Sequence, residues 1–145
     1  MSDKPQSFEK HAMMVPGYHY VLFSLLLILL VAMVWGVVQD PSWGSLLGVV
    51  FMVAFVMTAF YARVFALGVQ DRVIRLEERL RMAEVLPEDL RSRIGEITTE
   101  QIIGLRFAPD EELPDLVRRV LDEGIADRKT IKQAVKNWRA DHQRI

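Results

Sequence analysis

The chain has 145 residues and a formal net charge of −1, so no overall basic footprint marks it for nucleic acid. It contains no Cys, which excludes a disulfide frame, a thiolate metal site and a Cys nucleophile. Hydrophobic residues make up 51%, but they crowd between Val21 and Leu67, where charges are almost absent, and charges are dense only afterwards, a pattern that predicts a membrane segment followed by a soluble one.

Residues 1–17 form a polar N-terminal segment in which Asp3 and Glu9 balance Lys4 and Lys10. Phe8, Ala12 and Val15 are spaced for a short amphipathic turn along a membrane surface, ended by Pro16-Gly17. Residues 18–67 read as a two-helix transmembrane hairpin. Its first span, Tyr18–Val38, has an uncharged core, VLFSLLLILLVAMVWGVV. About 20 helical residues cross a hydrocarbon core of roughly 30 Å. Tyr18, Tyr20 and Trp35 sit where amphipathic rings prefer the interface. The apolar run is too long for a cleaved signal peptide, and VVQDPSW offers no small-x-small cleavage site. Gln39–Ser45 is a tight connection with turn chemistry at Asp40-Pro41 and Gly44. Leu46–Leu67 returns as the second span, with Arg63 close enough to its end to snorkel.

The flanking charges predict the orientation. The hairpin loop has no Lys or Arg, whereas Arg63 stands near the far end of the second span and Arg72, Arg75, Arg79 and Arg81 follow it. Both termini are therefore expected in the cytoplasm, with the hairpin loop outside.

No break signal separates the second span from residues 68–86, so one long helix is expected to pass from lipid into water. Val69, Val73, Leu76, Leu80 and Ala83 are spaced 4, 3, 4, 3, the apolar seam of a heptad repeat. Extended backwards, the seam meets Ala66, Ala62 and Ala59, small residues that let helices approach closely. This seam is the candidate interaction site. A second copy of the chain or the chain's own C-terminal domain could cover it. Asp71–Arg75 and Glu77–Arg81 have the spacing of helical ion pairs.

Residues 87–145 read as a cytoplasmic domain of about four short helices. Pro87 opens the first. Thr98 and Gln101 form a capping box for a helix through Phe107. Pro114 lies in the first turn of the next, which Gly124 ends. Asp127 caps the last, which presents Ile131, Ala134, Val135, Trp138 and His142 on one face. The fold class is thus all-α: a transmembrane helical hairpin whose second helix extends into a small cytoplasmic helical bundle.

Residues 98–126 carry three bases against seven acids, and residues 127–145 six bases against two acids. Arg128, Lys129, Lys132, Lys136 and Arg139 would make the last helix basic. Three readings follow: acidic and basic helices pack as neighbours, the basic helix lies on anionic headgroups, or it meets nucleic acid. The acidic helix before it would repel phosphate, which counts against nucleic acid as a partner.

The sequence holds no phosphate loop, dinucleotide turn or nucleophile elbow. His11 and His19 flank Met13 and Met14, but no second ligand stands at fixed helical spacing, so neither metal nor other cofactor is expected. Neither span interior holds Asp, Glu, Lys or His, the groups a transport path needs.

The start PQSFEKH…VPGYHY, the junction VQDRVIRLEERLR, the segment QIIGLRFAPDEELPDL and the ending IKQAVKNWRADHQRI together resemble an uncharacterised family of small bacterial two-span membrane proteins. The resemblance covers nearly the whole chain. It implies a bacterial inner-membrane location and a cytoplasmic C-terminal domain, and no catalytic residue. The expectation is a non-enzymatic membrane protein, a helical scaffold that self-associates or docks a membrane-protein partner. The competing expectations are an accessory subunit of a transporter or other membrane complex, and a membrane-tethered regulator whose basic helix binds lipid or nucleic acid.

Overall fold

The computed structural model describes residues 7–8 and 14–141, all-α in its regular structure. Ala12 of the expected N-terminal turn, His11, Met13 and His142 lie outside the described residues. Among the described residues, 14–67 form one compact unit and 68–141, together with 7–8, form the other.

The first unit is a hairpin of apolar helices. A π-helical turn, Gly17–Leu22, leads into α1 (Phe23–Gln39). Its entry is satisfied locally: the Tyr18 and His19 amides donate to the Val15 carbonyl at 3.1 and 2.8 Å, and the Val15 amide donates to His19 Nδ1 at 3.0 Å. The His19 ring therefore caps the helix entry. Asp40 leaves helical geometry, and Pro41 has no amide to continue it. The next helix, α2 (Trp43–Val85), starts at once, so the connection is shorter than residues 39–45 and Gly44 lies in a helical turn. Ser42 and Ser45 explain this early start. The Ser45 amide donates to Ser42 Oγ at 3.2 Å and the Ser42 amide donates to Ser45 Oγ at 3.0 Å. These reciprocal bonds do the work of a capping box.

Two contacts fix the hairpin. Tyr18 donates its hydroxyl hydrogen to the Ala59 carbonyl. At Gly48 a Cβ would stand 3.2 Å from Met33 Sδ, so the missing side chain permits the close approach. Leu26 and Met52 are buried. Most other large apolar side chains, including Leu27, Ile28, Trp35, Phe51 and Phe65, are exposed. Helical residues 17–39 and 43–85 are each long and apolar enough to cross a membrane, and protein covers little of either.

The second unit is a small helical bundle joined by the last turns of α2. It comprises α3 (Glu88–Arg91), a 3₁₀ turn (Ile94–Glu96), α4 (Thr99–Leu105), α5 (Leu113–Asp122) and α6 (Arg128–Ala134). Local sequence sets the boundaries. Thr98 and Gln101 form the expected capping box, and the Gln101 side chain also donates to the Ile125 carbonyl at 2.9 Å. Pro114 lies at the start of α5, where its missing amide costs no bond. Gly124, at φ +63°, reverses the chain after α5. The Asp127 carboxylate accepts from the Thr130 amide at 2.8 Å to begin α6.

Burial of Met82, Leu86, Leu90, Ile102, Phe107 and Val117 makes one continuous core. Gly104 brings α4 and α6 together: a Cβ there would meet Ile131 Cβ and Cγ2 at 2.9 Å.

Candidate interaction surface

The part of α2 inside the second unit has two unlike sides. On one, Ile74 (7% exposed), Glu78 (7%) and Met82 (0%) are covered by the chain's own bundle. On the other, Val69 (62%), Val73 (48%), Leu76 (61%) and Leu80 (61%) are open, and so is Ala83. Leu76 and Glu78, or Leu80 and Met82, are two residues apart, roughly 200° around a helix of 3.6 residues per turn. The bundle therefore takes the side opposite the apolar 4–3 seam. Of the two covers that the spacing allows, the chain's own domain is not the one in place.

Charge chemistry holds the bundle to its side of α2. Glu78 accepts from Arg81 Nη1 at 2.8 Å and from Arg139 Nη1 at 3.0 Å. Arg81 also donates to the Ala108 carbonyl at 2.7 Å and to Asp110 Oδ1 at 2.7 Å. One buried carboxylate and one mostly buried guanidinium thus fasten both the turn after α4 and the C-terminal tail. Arg81 turns inward to Glu78 instead of making the expected pair with Glu77. The sequence reading missed this face because Glu78 and Arg81 have the ordinary look of solvated helix charges. Their position between the apolar residues Ile74 and Met82 is the signal that could have found it.

The expected basic helix is shorter than its pattern. Arg128, Lys129 and Lys132 lie on α6, but the helix ends at Ala134, and Lys136 and Arg139 follow in an irregular segment. Tertiary bonds outcompete the helix there. The Lys136 and Asn137 amides donate to the two Glu112 carboxylate oxygens at 2.8 and 3.1 Å, and the Arg139 amide donates to the Phe107 carbonyl at 2.8 Å. Trp138 then packs on the buried Phe107 ring, with centroids 4.6 Å apart. Arg128 pairs with Glu100 at 3.4 Å, and Lys132 Nζ stands 5.2 Å from the Phe107 centroid. The acidic and basic blocks are neighbours, with Arg106 joined to Asp141 at 3.3 Å as a further link.

Exposed ion pairs add local order. Arg118 donates to Asp89 at 3.0 Å, joining α5 to α3 and holding the Asp89 carboxyl below the usual carboxylate range. Arg93 joins Glu96 and Asp122, and these bonds raise its guanidinium further above the ordinary range.

Within the hairpin unit the alanine stripe is unevenly used. Ala59 and Ala66 are half-buried and Ala62 is exposed. Ala62 joins Met57, Thr58, Tyr61 and Phe65 in lining an open apolar hollow. Among the described residues no group of three His, Asp or Glu side chains stands together in a way that could hold a metal ion.

The model of the family of unknown function DUF6526 matches residues 1–145, and the chain belongs to that family. No curated protein and no solved structure matches it.

Proposed function

We propose that this protein is a non-enzymatic, membrane-anchored helical module that self-associates through Val69, Val73, Leu76, Leu80 and Ala83 of α2. One observation carries the reading: this 4–3 apolar seam is open while the chain's own bundle occupies the opposite side of the same helix. Contiguous apolar surface beyond the spans is costly to leave in water, and a sided, rimmed patch of this kind marks an interaction surface. Small residues Ala59, Ala62 and Ala66 continue its spacing within the apolar part of α2.

The module sits in a bacterial inner membrane as a two-pass protein with both termini in the cytoplasm. The exposed apolar surfaces of α1 and α2 support the insertion. The Arg residues after the second span, against none in the hairpin loop, support the orientation. Lipid is the partner of the hairpin and a second copy is the partner of the seam. Much of the basic charge at the C-terminus is engaged within the bundle, by Glu100, Glu78 and the Phe107 ring, which disfavours a role in gripping lipid headgroups or nucleic acid.

The test is single-cysteine crosslinking of the otherwise cysteine-free full chain in lipid vesicles. Crosslinks between chains are expected at Val69, Val73, Leu76 and Leu80 and are expected to fall away at Asp71 and Arg75. Equal crosslinking at all six positions, or none at any, rejects the seam.

A further inference from the structure

We infer that the second copy docks on the seam in parallel and in register, and that ion pairs between Arg72 and the partner's Glu77, and between Arg79 and the partner's Glu84, select that arrangement. The inference rests on the self-association reading above and deepens it by fixing the geometry and the recognition chemistry.

The heptad supplies the argument. With Val73 and Leu80 at the first core position, Val69, Leu76 and Ala83 take the second. Arg72 and Arg79 then immediately precede a first-core residue, and Glu77 and Glu84 immediately follow a second-core residue, so all four rim the seam. In a parallel pair, each rim residue of the first kind meets the partner's rim residue of the second kind about five positions further along. Five positions beyond Arg72 is Glu77, and five beyond Arg79 is Glu84. Two-fold symmetry doubles this to four opposite-charge contacts.

Other arrangements lose them. An antiparallel pair sets like rim positions together, Arg against Arg and Glu against Glu. Sliding a parallel pair by one heptad removes half of the short seam and leaves one rim Arg of each chain without its partner. The four side chains are also available. Among the described residues none of them makes an ion pair within its own chain, in contrast to Glu78 and Arg81 on the same stretch of helix. Arg72, Glu77 and Glu84 are exposed and Arg79 is partly exposed.

A two-heptad seam is short for a free-standing coiled coil. Here the helix is already formed, continuous with the apolar part of α2 and backed by the bundle on its other side. Association does not have to supply the ordering of the helix as well.

The test uses the full chain in lipid vesicles at low salt with a Leu76→Cys reporter. An all-acidic rim (Arg72→Glu with Arg79→Glu) and an all-basic rim (Glu77→Arg with Glu84→Arg) should each reduce crosslinking by roughly tenfold, the joint effect of four exposed pairs. Mixing the two variants should restore it, as a heterodimer of opposite rims. In the unaltered background, paired reporters should crosslink Val69→Cys to Val69→Cys and Ala83→Cys to Ala83→Cys, and not Val69→Cys to Ala83→Cys. Crosslinking that ignores the rim charges, or a mixture no better than either variant alone, overturns the inference and leaves the seam reading standing. No Leu76→Cys crosslink in the unaltered background overturns both.

Discussion

Gly104 and Glu78 show how single side chains decide where the bundle closes. At Gly104 a Cβ would stand 2.9 Å from two carbons of Ile131 and 3.3 Å from the Arg128 carbonyl, and both neighbours belong to the α6 region. Gly104→Ala should therefore destabilise the bundle by about 1–3 kcal/mol, the usual cost of overpacking. Gly95→Ala, with open space around the new methyl, should leave the thermal melt unchanged. Glu78→Gln keeps the shape but removes the charge that Arg81 and Arg139 share. Arg81 retains Asp110, so the expected loss is about 1–3 kcal/mol rather than the larger cost of a fully orphaned buried charge. Chemical denaturation followed by helical circular dichroism measures it. Neither residue was singled out by periodicity. A glycine in a short helix and a Glu–Arg pair look the same in sequence whether or not a second element lies against them.

Helix boundaries divide by whether local or tertiary bonds set them. The starts of α4, α5 and α6 and the Gly124 reversal were legible because their signals are local: the Thr98 and Asp127 caps, Pro114 in the first turn of α5 and a glycine at positive φ. The start of α2 was legible in principle from Ser42-x-x-Ser45, a pairing that a search for Glu or Gln at the third position overlooks. The end of α6 was not legible. Val135–Asp141 continues the helical pattern, yet its amides go to Glu112 and to the Phe107 carbonyl, more than 20 residues away in sequence. The Asp127 cap gives a pH signature. Hydrogen bonds from the Thr130 amide and hydroxyl hold its carboxyl below the usual 3.8. A carboxyl with a lowered folded-state pKa stabilises the fold above its unfolded value and loses that contribution as pH falls through the folded one. Melting temperature should therefore fall as pH drops below about 4. Asp127→Asn keeps an acceptor at the cap but cannot titrate, so its acid limb should be shallower. An unchanged limb would remove Asp127 from the account.

At the scale of the whole molecule, the sequence made the two apolar helices, the continuous α2 and the all-α bundle legible, because each rests on composition and period. It could not say which side of α2 the bundle takes. The seam advertises an apolar face, and the side in use is a mixed one built around Glu78, Arg81 and Met82. That difference gives the proposed function its footing, since the more hydrophobic stripe is the one left open. Native mass measurement of the full chain released directly from lipid tests this claim most directly. A dominant species of two 16.7 kDa chains is expected, shifted to one chain by Leu76→Asp with Leu80→Asp. A single 16.7 kDa chain throughout, before any substitution, would contradict it.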